Sequence, residues 1–176
     1  MGQAGDVFEM PDGSQYILRT PTAATQGEYV EFEWVFPAGT FAPPPHLHPS
    51  QVEEYEVLEG RLDVTVDGRW QTLEAGESVS VPRAALHTFR NRSGAVVRVR
   101  NWHRPAVRFE EFIEQTSAAL RAVDVKRRRD PRIAICLSMI MLAFEDTLQP
   151  GRRRERIPMR ALAYLGRLAG LPGGAR

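Results

Sequence analysis

The stretch Gly39-Thr-Phe-Ala-Pro-Pro-Pro-His46-Leu-His48-Pro-Ser-Gln-Val-Glu53 decides how this chain folds, together with the run that follows it, Glu54-Tyr55-Glu-Val57-Leu-Glu-Gly60. It puts two imidazoles and a carboxylate within eight residues. Imidazole and carboxylate are ligands of divalent transition metals. In His-x-His the two side chains lie two positions apart, so an extended strand turns both to one face. A helix would set them about 200° apart. Pro43-Pro44-Pro45 also favours an extended approach. From Glu53 onward the period of two sends Glu53, Tyr55 and Val57 inward and Glu54 outward.

A second segment supplies a third imidazole. Gly76-Glu-Ser-Val-Ser-Val-Pro82 reads as a strand, and His87 and Asn91 follow it. Three of the chain's four histidines therefore fall in two short segments. The fourth, His103, shares a strand face with Val97, Val99 and Asn101 near an open end. It is a candidate substrate contact or support for a ligand, against the plainer reading of an end-of-strand histidine.

Outward from these segments the pattern is of short alternating strands. Val30, Phe32, Trp34 and Phe36 share one face, with Glu31 and Glu33 on the other. Leu62, Val64 and Val66 alternate in the same way, and Asp67-Gly68 is a hairpin signal into Trp70–Leu73. Gln15–Arg19 and Ala95–His103 complete the set. Strands at this spacing predict an antiparallel sandwich or barrel over residues 14–105, behind a flexible lead at residues 1–13.

After Pro105 the period changes to that of a helix. Residues 106–176 predict about three helices: one carrying Phe109, Phe112, Ile113 and Leu120 on one stripe, one started by Asp130-Pro131, and one over Pro158–Leu168. Ile133–Phe144 is apolar nearly all round and too short to span a bilayer, so it is expected to bury itself on the barrel or in a homodimer.

An apolar fraction of 43% supports a real core at 176 residues. The single Cys136 excludes an internal disulfide and reads as a small buried hydrophobe. The N-terminal residues show neither a basic region nor an apolar segment, so a cytoplasmic location is expected. Residues 1–105 carry nine basic and fourteen acidic side chains; residues 106–176 carry fourteen and eight. Packing of the basic tail on the acidic barrel explains this better than a nucleic-acid patch, since no aromatics interleave with Lys126–Arg129 or Arg152–Arg154.

The two segments together resemble the cupin family. Gly39, His46, His48, Glu53 and Gly60 fill its first motif with one extra residue in the first spacer, and Gly76, Pro82, His87 and Asn91 fill its second. Ala84 stands where that motif has glycine. Either it takes a left-handed conformation at about 1 kcal/mol or, as the reading prefers, the turn differs slightly. The resemblance covers roughly residues 14–105 and implies an antiparallel β-barrel of jelly-roll type. It also implies one divalent metal held by His46, His48, Glu53 and His87, drawn from Fe, Mn, Ni, Cu, Co or Zn. Four protein ligands leave up to two positions on an octahedral ion, and the site charge of +1 suits an anionic, oxygen-bearing small molecule.

Phe41, Tyr55, Val64, Val66, Val79 and Phe89 are candidate walls of an apolar cavity, although plain barrel core is the competing reading for most of them. Cupins include dioxygenases, isomerases, decarboxylases, cyclases and sugar-binding regulators, and a fold alone does not choose among them. A dioxygenase-like enzyme leads, with Glu53 as a base. A non-redox cyclase or isomerase and a non-catalytic ligand sensor are the alternatives.

Overall fold

The computed structural model describes residues 2–40, 43–123 and 130–173. Phe41 and the basic run Lys126–Arg129 lie outside them. The described strands are β1 (Val7–Glu9), β2 (Gln15–Thr20), β3 (Val30–Phe36), β4 (His46–Leu47), β5 (Val52–Glu59), β6 (Arg61–Val66), β7 (Arg69–Glu74), β8 (Ser78–Val81), β9 (His87–Arg90), β10 (Val97–Arg104) and β11 (Gln149–Pro150). They form two antiparallel sheets, one in the order β1-β2-β3-β10-β5-β8 and one in the order β11-β4-β9-β6-β7. The result is a jelly-roll-like barrel of two facing sheets, as the alternation predicts.

The inner faces carry the residues that period two assigns to them. Val30, Phe32, Trp34, Phe36, Tyr55, Val57, Leu62 and Val64 are all buried. Their rings interlock: Phe36 stacks on Phe89 with centroids 4.9 Å apart, and Trp34 meets Phe89 at 5.4 Å and Tyr55 at 5.6 Å. Such ring pairs add about 0.5–1.5 kcal/mol each beyond the area they bury. On the outer face of the larger sheet, carboxylates pair with arginines across strands. Glu33 lies between Arg19 and Arg98, Glu56 reaches Arg100 at 3.3 Å and Glu54 reaches Arg104 at 3.6 Å. Burial pushes the Glu33 carboxyl up, but its bonds to Arg98 and Arg19 outweigh this and hold it below the usual range.

The N-terminal segment departs from the flexible lead read from the sequence. Val7–Glu9 pairs with Gln15–Ile17 as β1, and Phe8 buries itself edge-on to Phe32 at 6.4 Å. Three residues are too few for a periodic signal, so only the tertiary contact reveals this strand.

Beyond β10 the chain forms α1 (Phe109–Ala122), α2 (Pro131–Ala143) and α3 (Arg156–Leu168). Asp130 caps α2 by accepting a hydrogen bond from the Arg132 amide at 2.9 Å, with Pro131 in the first turn. The stripe Phe109, Phe112, Ile113, Thr116 and Leu120 of α1 is buried. Glu110 ties the same helix to the barrel, its carboxylate accepting from the Gly2 amide at 2.9 Å and the Thr22 amide at 2.7 Å. The all-round apolarity of α2 is used within the chain: α2 packs on α1 and on α3. A Cβ on Gly166 of α3 would come within 2.5 Å of Ile135 and Met139 of α2. That packing gives much of the helix a partner within the chain.

The segment after α2 then returns to the barrel. Its strand β11 pairs with β4, placing Gln149 against Leu47 and Pro150 against His46. The Gly151 amide donates to the Pro45 carbonyl at 3.0 Å.

Ala84 corrects the expectation of an altered turn. It keeps the left-handed conformation, with φ of 59°, and its amide donates to the His48 carbonyl at 2.8 Å. The hydrogen bond holds the strained geometry in place because the loop must carry His87 back beneath His48. Ala84→Gly should therefore raise stability by about 1 kcal/mol, or roughly 2–4 °C in Tm, by relieving the Cβ conflict. A thermal melt with an unchanged or lower midpoint would contradict this account of the turn.

Candidate metal centre

Strand register assembles the centre. His46 on β4 is the direct cross-strand partner of His87 on β9 in the smaller sheet. Glu53 on β5 is the partner of His103 on β10 in the larger sheet, and Tyr55 is the partner of Asn101. His48 follows β4 immediately. All four of His46, His48, Glu53 and His87 are buried, and one donor atom from each lies within 4.8 Å of the others. Glu53 Oε2 approaches His87 Nε2 to 2.7 Å and His48 Nε2 to 3.5 Å, so the carboxylate of one sheet meets the imidazoles of the other.

The hydrogen bonds fix which nitrogen each ring turns to the centre. His46 Nδ1 lies 3.0 Å from the Pro44 carbonyl, His48 Nδ1 2.7 Å from the Thr147 carbonyl, and His87 Nδ1 3.0 Å from the Ala85 carbonyl. A carbonyl only accepts, so each Nδ1 carries the proton and each Nε2 presents a lone pair. Glu53 is fixed through its other oxygen: Asn101 Nδ2 donates to Oε1 at 2.9 Å, and His103 Nε2 lies 3.2 Å away. Among the described residues, His48 Nε2, His87 Nε2 and Glu53 Oε2 make no hydrogen bond. Buried acceptors pointed at one another are unfavourable unless a cation or proton sits between them. A divalent ion fits that donor set, with the three Nδ1–H bonds as the supports that orient ligand imidazoles. His46, His48, Glu53 and His87 would hold it.

The electrostatics agree. Burial pushes the Glu53 carboxyl up, yet the neighbouring His103 and His87 outweigh this and hold it well below the usual carboxylate range. Burial, reinforced by His87 and His48, holds His46 well below an ordinary imidazole. His103 is lowered to about 4 by burial, against the pull of Glu53. In His87 burial also acts downward, but Glu53 prevails and raises it.

A cavity of about 400 Å³ opens beside the donors and reaches His46, His48 and Glu53. Tyr16, Trp34 and Phe89 form its barrel side. Its other side is helical: Phe109, Phe112 and Ile113 from α1, and Ile133, Leu137 and Met141 from α2.

Of the wall residues proposed from sequence, Phe89 lines this cavity. Tyr55 and Val64 sit in the closed core, while Val66 and Val79 pack against that core without reaching the cavity. Alternation identifies the inward face of a strand but not the depth along the barrel, which is why those four were named. Phe41 lies outside the described residues. His103 is fully buried, its ring stacked on Phe109 at 3.4 Å between centroids, and it braces Glu53. The helical half of the wall was missed, although the stripe containing Phe109 and Phe112 was visible as a buried face without a known target.

Residues 32–105 match the family model described as Cupin domain. A 40-residue stretch is 45% identical to the HTH-type transcriptional regulator SutR of Escherichia coli strain K12, covering 23% of this chain and 22% of that protein. The chain thus spans about a fifth of the length of that curated relative. Among solved structures, an RmlC-like cupin from Shewanella frigidimarina NCIMB 400 aligns with 23% identity and a TM-score of 0.50, over 60% of this chain and 88% of that one. KdgF from a Halomonas species aligns with 19% identity and a TM-score of 0.50, over 57% and 86%. A predicted oxalate decarboxylase from Thermotoga maritima aligns with 15% identity and the same TM-score, over 52% and 80%. At these identities the likeness is one of fold. No helix among the described residues is long and apolar enough to cross a membrane.

Two outcomes follow for the centre. His46→Ala and His87→Ala should each lose the bound metal by elemental analysis while keeping the β-sheet circular dichroism of the parent, since the barrel core lies beneath the ligands. Near-parental metal content in both would overturn the assignment.

The second concerns the metal-stripped chain. His46 and His103 have folded values below their unfolded 6.5, so the native state holds fewer protons than the unfolded state as pH falls from there towards about 4. Their contribution is lost across that window, and that of Glu53 is lost below its unfolded 4.5. His87, raised above 6.5, acts in the opposite sense and contributes stability that fades as pH rises through its folded value. Two histidines against one predict a melting temperature that falls between pH 6.5 and 4; a flat or rising profile would contradict it.

Proposed function

We infer the function from two facts: the chain belongs to the cupin superfamily, with one cupin domain across residues 32–105, and its cluster of three histidines and a glutamate adjoins a largely apolar cavity. The reading they support is a metal-dependent enzyme acting on an apolar or aromatic small molecule that presents oxygen atoms, with dioxygenase-like chemistry. The observation that carries it is the position of the donors on a cavity whose other walls are mostly aromatic and aliphatic, with Asp12, Ser14, Thr40 and Thr116 as the further polar points. A bound divalent metal would supply Lewis acidity and, if it is Fe, Mn, Ni, Cu or Co, access to redox chemistry.

The chain's own residues then divide the remaining work. His46, His48 and His87 orient through their Nδ1 bonds to carbonyls. Phe109, Phe112 and Leu137 exclude water and favour a flat apolar body. Glu53 is the candidate base. Asn101 and His103 keep its Oε1 in place, and Oε2 would take a proton on loosening from the metal. Because its carboxyl is held so low, it is a weak base, and the proton within its reach is that of an enol or phenol whose oxygen a bound metal would acidify.

Elemental analysis of the purified protein, followed by oxygen uptake with a panel of apolar enols, catechols and flavonols, tests the reading. Near one Fe, Mn, Ni, Cu or Co per chain with uptake that falls about a hundredfold or more in Glu53→Gln is expected. Turnover with Zn and no oxygen demand would replace it with a cyclase or isomerase. Tight ligand binding with no turnover would favour a ligand-sensing barrel, the reading towards which the short match to SutR leans.

A further inference from the structure

Helix α3 is seated against its own apolar logic. Its small residues face inward: Ala163 and Gly166 are buried, and Gly166 lies against Ile135 and Met139 of α2. Met159 and Leu162 are half-buried beside them, and four other large apolar residues face outward. Ile157 is 74% exposed, Leu168 68%, Tyr164 58% and Leu165 53%. With Ala161 they recur at i, i+4, i+7, i+8 and i+11, a single stripe along a helix about 20 Å long. A helix selected only to cover α2 would have no use for Ile157, Tyr164, Leu165 and Leu168 on its outer face. Across the described residues seven large hydrophobic side chains are exposed, and four of them lie on this stripe. The other three, Val7, Trp70 and Val96, stand on separate barrel segments, and Trp70 lies under the Arg90 guanidinium at 3.7 Å.

The charges beside the stripe have one sign. Residues 152–168 contain six arginines and one glutamate. Arg156 is occupied by Glu145 at 2.5 Å, whereas Arg152, Arg153, Arg154, Arg160 and Arg167 make no ion pair among the described residues. All five are exposed. We propose that α3 is an interfacial helix that docks the protein on an anionic lipid surface, its apolar stripe entering the headgroup boundary and its arginines meeting lipid phosphates.

A second copy of the chain is the weaker occupant. Two α3 helices meeting through their stripes would bring Arg160 and Arg167 of one copy towards those of the other, and like charges repel. The outer sheet of a second barrel offers no matching apolar stripe, and its Glu33, Glu54 and Glu56 are already paired with arginines. A lipid surface supplies both complements at once. Tyr164 at the centre of the stripe has the apolar ring and polar tip found at membrane interfaces. Behind α3, the opposite side of α2 lines the apolar cavity, so docking would set the helical wall of that cavity nearest the bilayer.

Flotation of the full chain with vesicles tests the proposal. Vesicles of about one-third phosphatidylglycerol in phosphatidylcholine should carry the protein upward about tenfold more effectively than pure phosphatidylcholine. The difference should shrink as salt rises from about 0.1 M to about 1 M. Leu165→Gln/Leu168→Gln and Arg160→Gln/Arg167→Gln should each reduce flotation by about tenfold at an unchanged melting temperature, since all four side chains are exposed. Equal flotation with neutral vesicles, or none with either, would overturn the proposal. So would a micromolar dimer that Leu168→Gln converts to monomer without any vesicle binding, or retention of a DNA duplex by protein that ignores vesicles.

Discussion

A single buried carboxylate organises the centre. Glu53 lies between two sheets with its side chain almost wholly out of water, and an ionised carboxylate in that position is strongly disfavoured unless it is compensated. The compensation comes from three histidines and one amide. Asn101 and His103, from the strand beside Glu53, hold one oxygen; His48 and His87, from the opposite sheet, face the other. His103 has so low a proton affinity that it braces Glu53 as a neutral ring, which leaves the positive charge to His87 or to a metal. The same requirement that makes the cluster costly for folding makes it selective for a cation.

The helical segment is part of that centre and not an appendage to it. The Thr147 carbonyl that sets the tautomer of His48 lies 99 residues along the chain from it. Two residues later, β11 adds itself to the His46 strand, and Gly151 bonds to the Pro45 carbonyl. At the near end of the extension, Gln51 Nε2 donates to the Pro105 and Ala106 carbonyls at 3.0 and 2.9 Å. The loop that carries the ligands is thus held at both ends by chain that follows the barrel. Loosening the helices would also loosen His48, since supports of this kind set how firmly a ligand is held.

Legibility in the sequence followed the range of the interaction. Period two placed Glu53, Tyr55 and Val57 inward and Glu54 outward, because alternation is a local property of a strand. The ligand set was readable because all four residues lie in two short segments. Depth was not readable: Tyr55, Val64, Val66 and Val79 point inward or pack on the core, yet the cavity lies elsewhere, at the helical end. The role of His103 depended on pairing across β5 and β10, which no local pattern encodes. Strand β11 has two residues and no periodicity. Ala84 shows a different limit: the turn kept its left-handed backbone without glycine because a tertiary hydrogen bond from the Ala84 amide to the His48 carbonyl offset a modest local penalty.

The helices also explain why the cavity is apolar at one end and polar at the other. A barrel mouth left open would admit water to His46 and His48 and weaken the attraction between any bound cation and an anionic ligand. Phe109 and Phe112 close that mouth with rings, and α2 supplies aliphatic side chains where a polar lid would compete for hydrogen bonds. α2 spends its inner face on the cavity and its outer face on the small residues of α3, and among the described residues of the extension the large apolar side chains left exposed are those that α3 turns outward. The helix that covers α2 approaches it closely through Ala163 and Gly166, which leaves one face of α3 free to carry large apolar side chains outward.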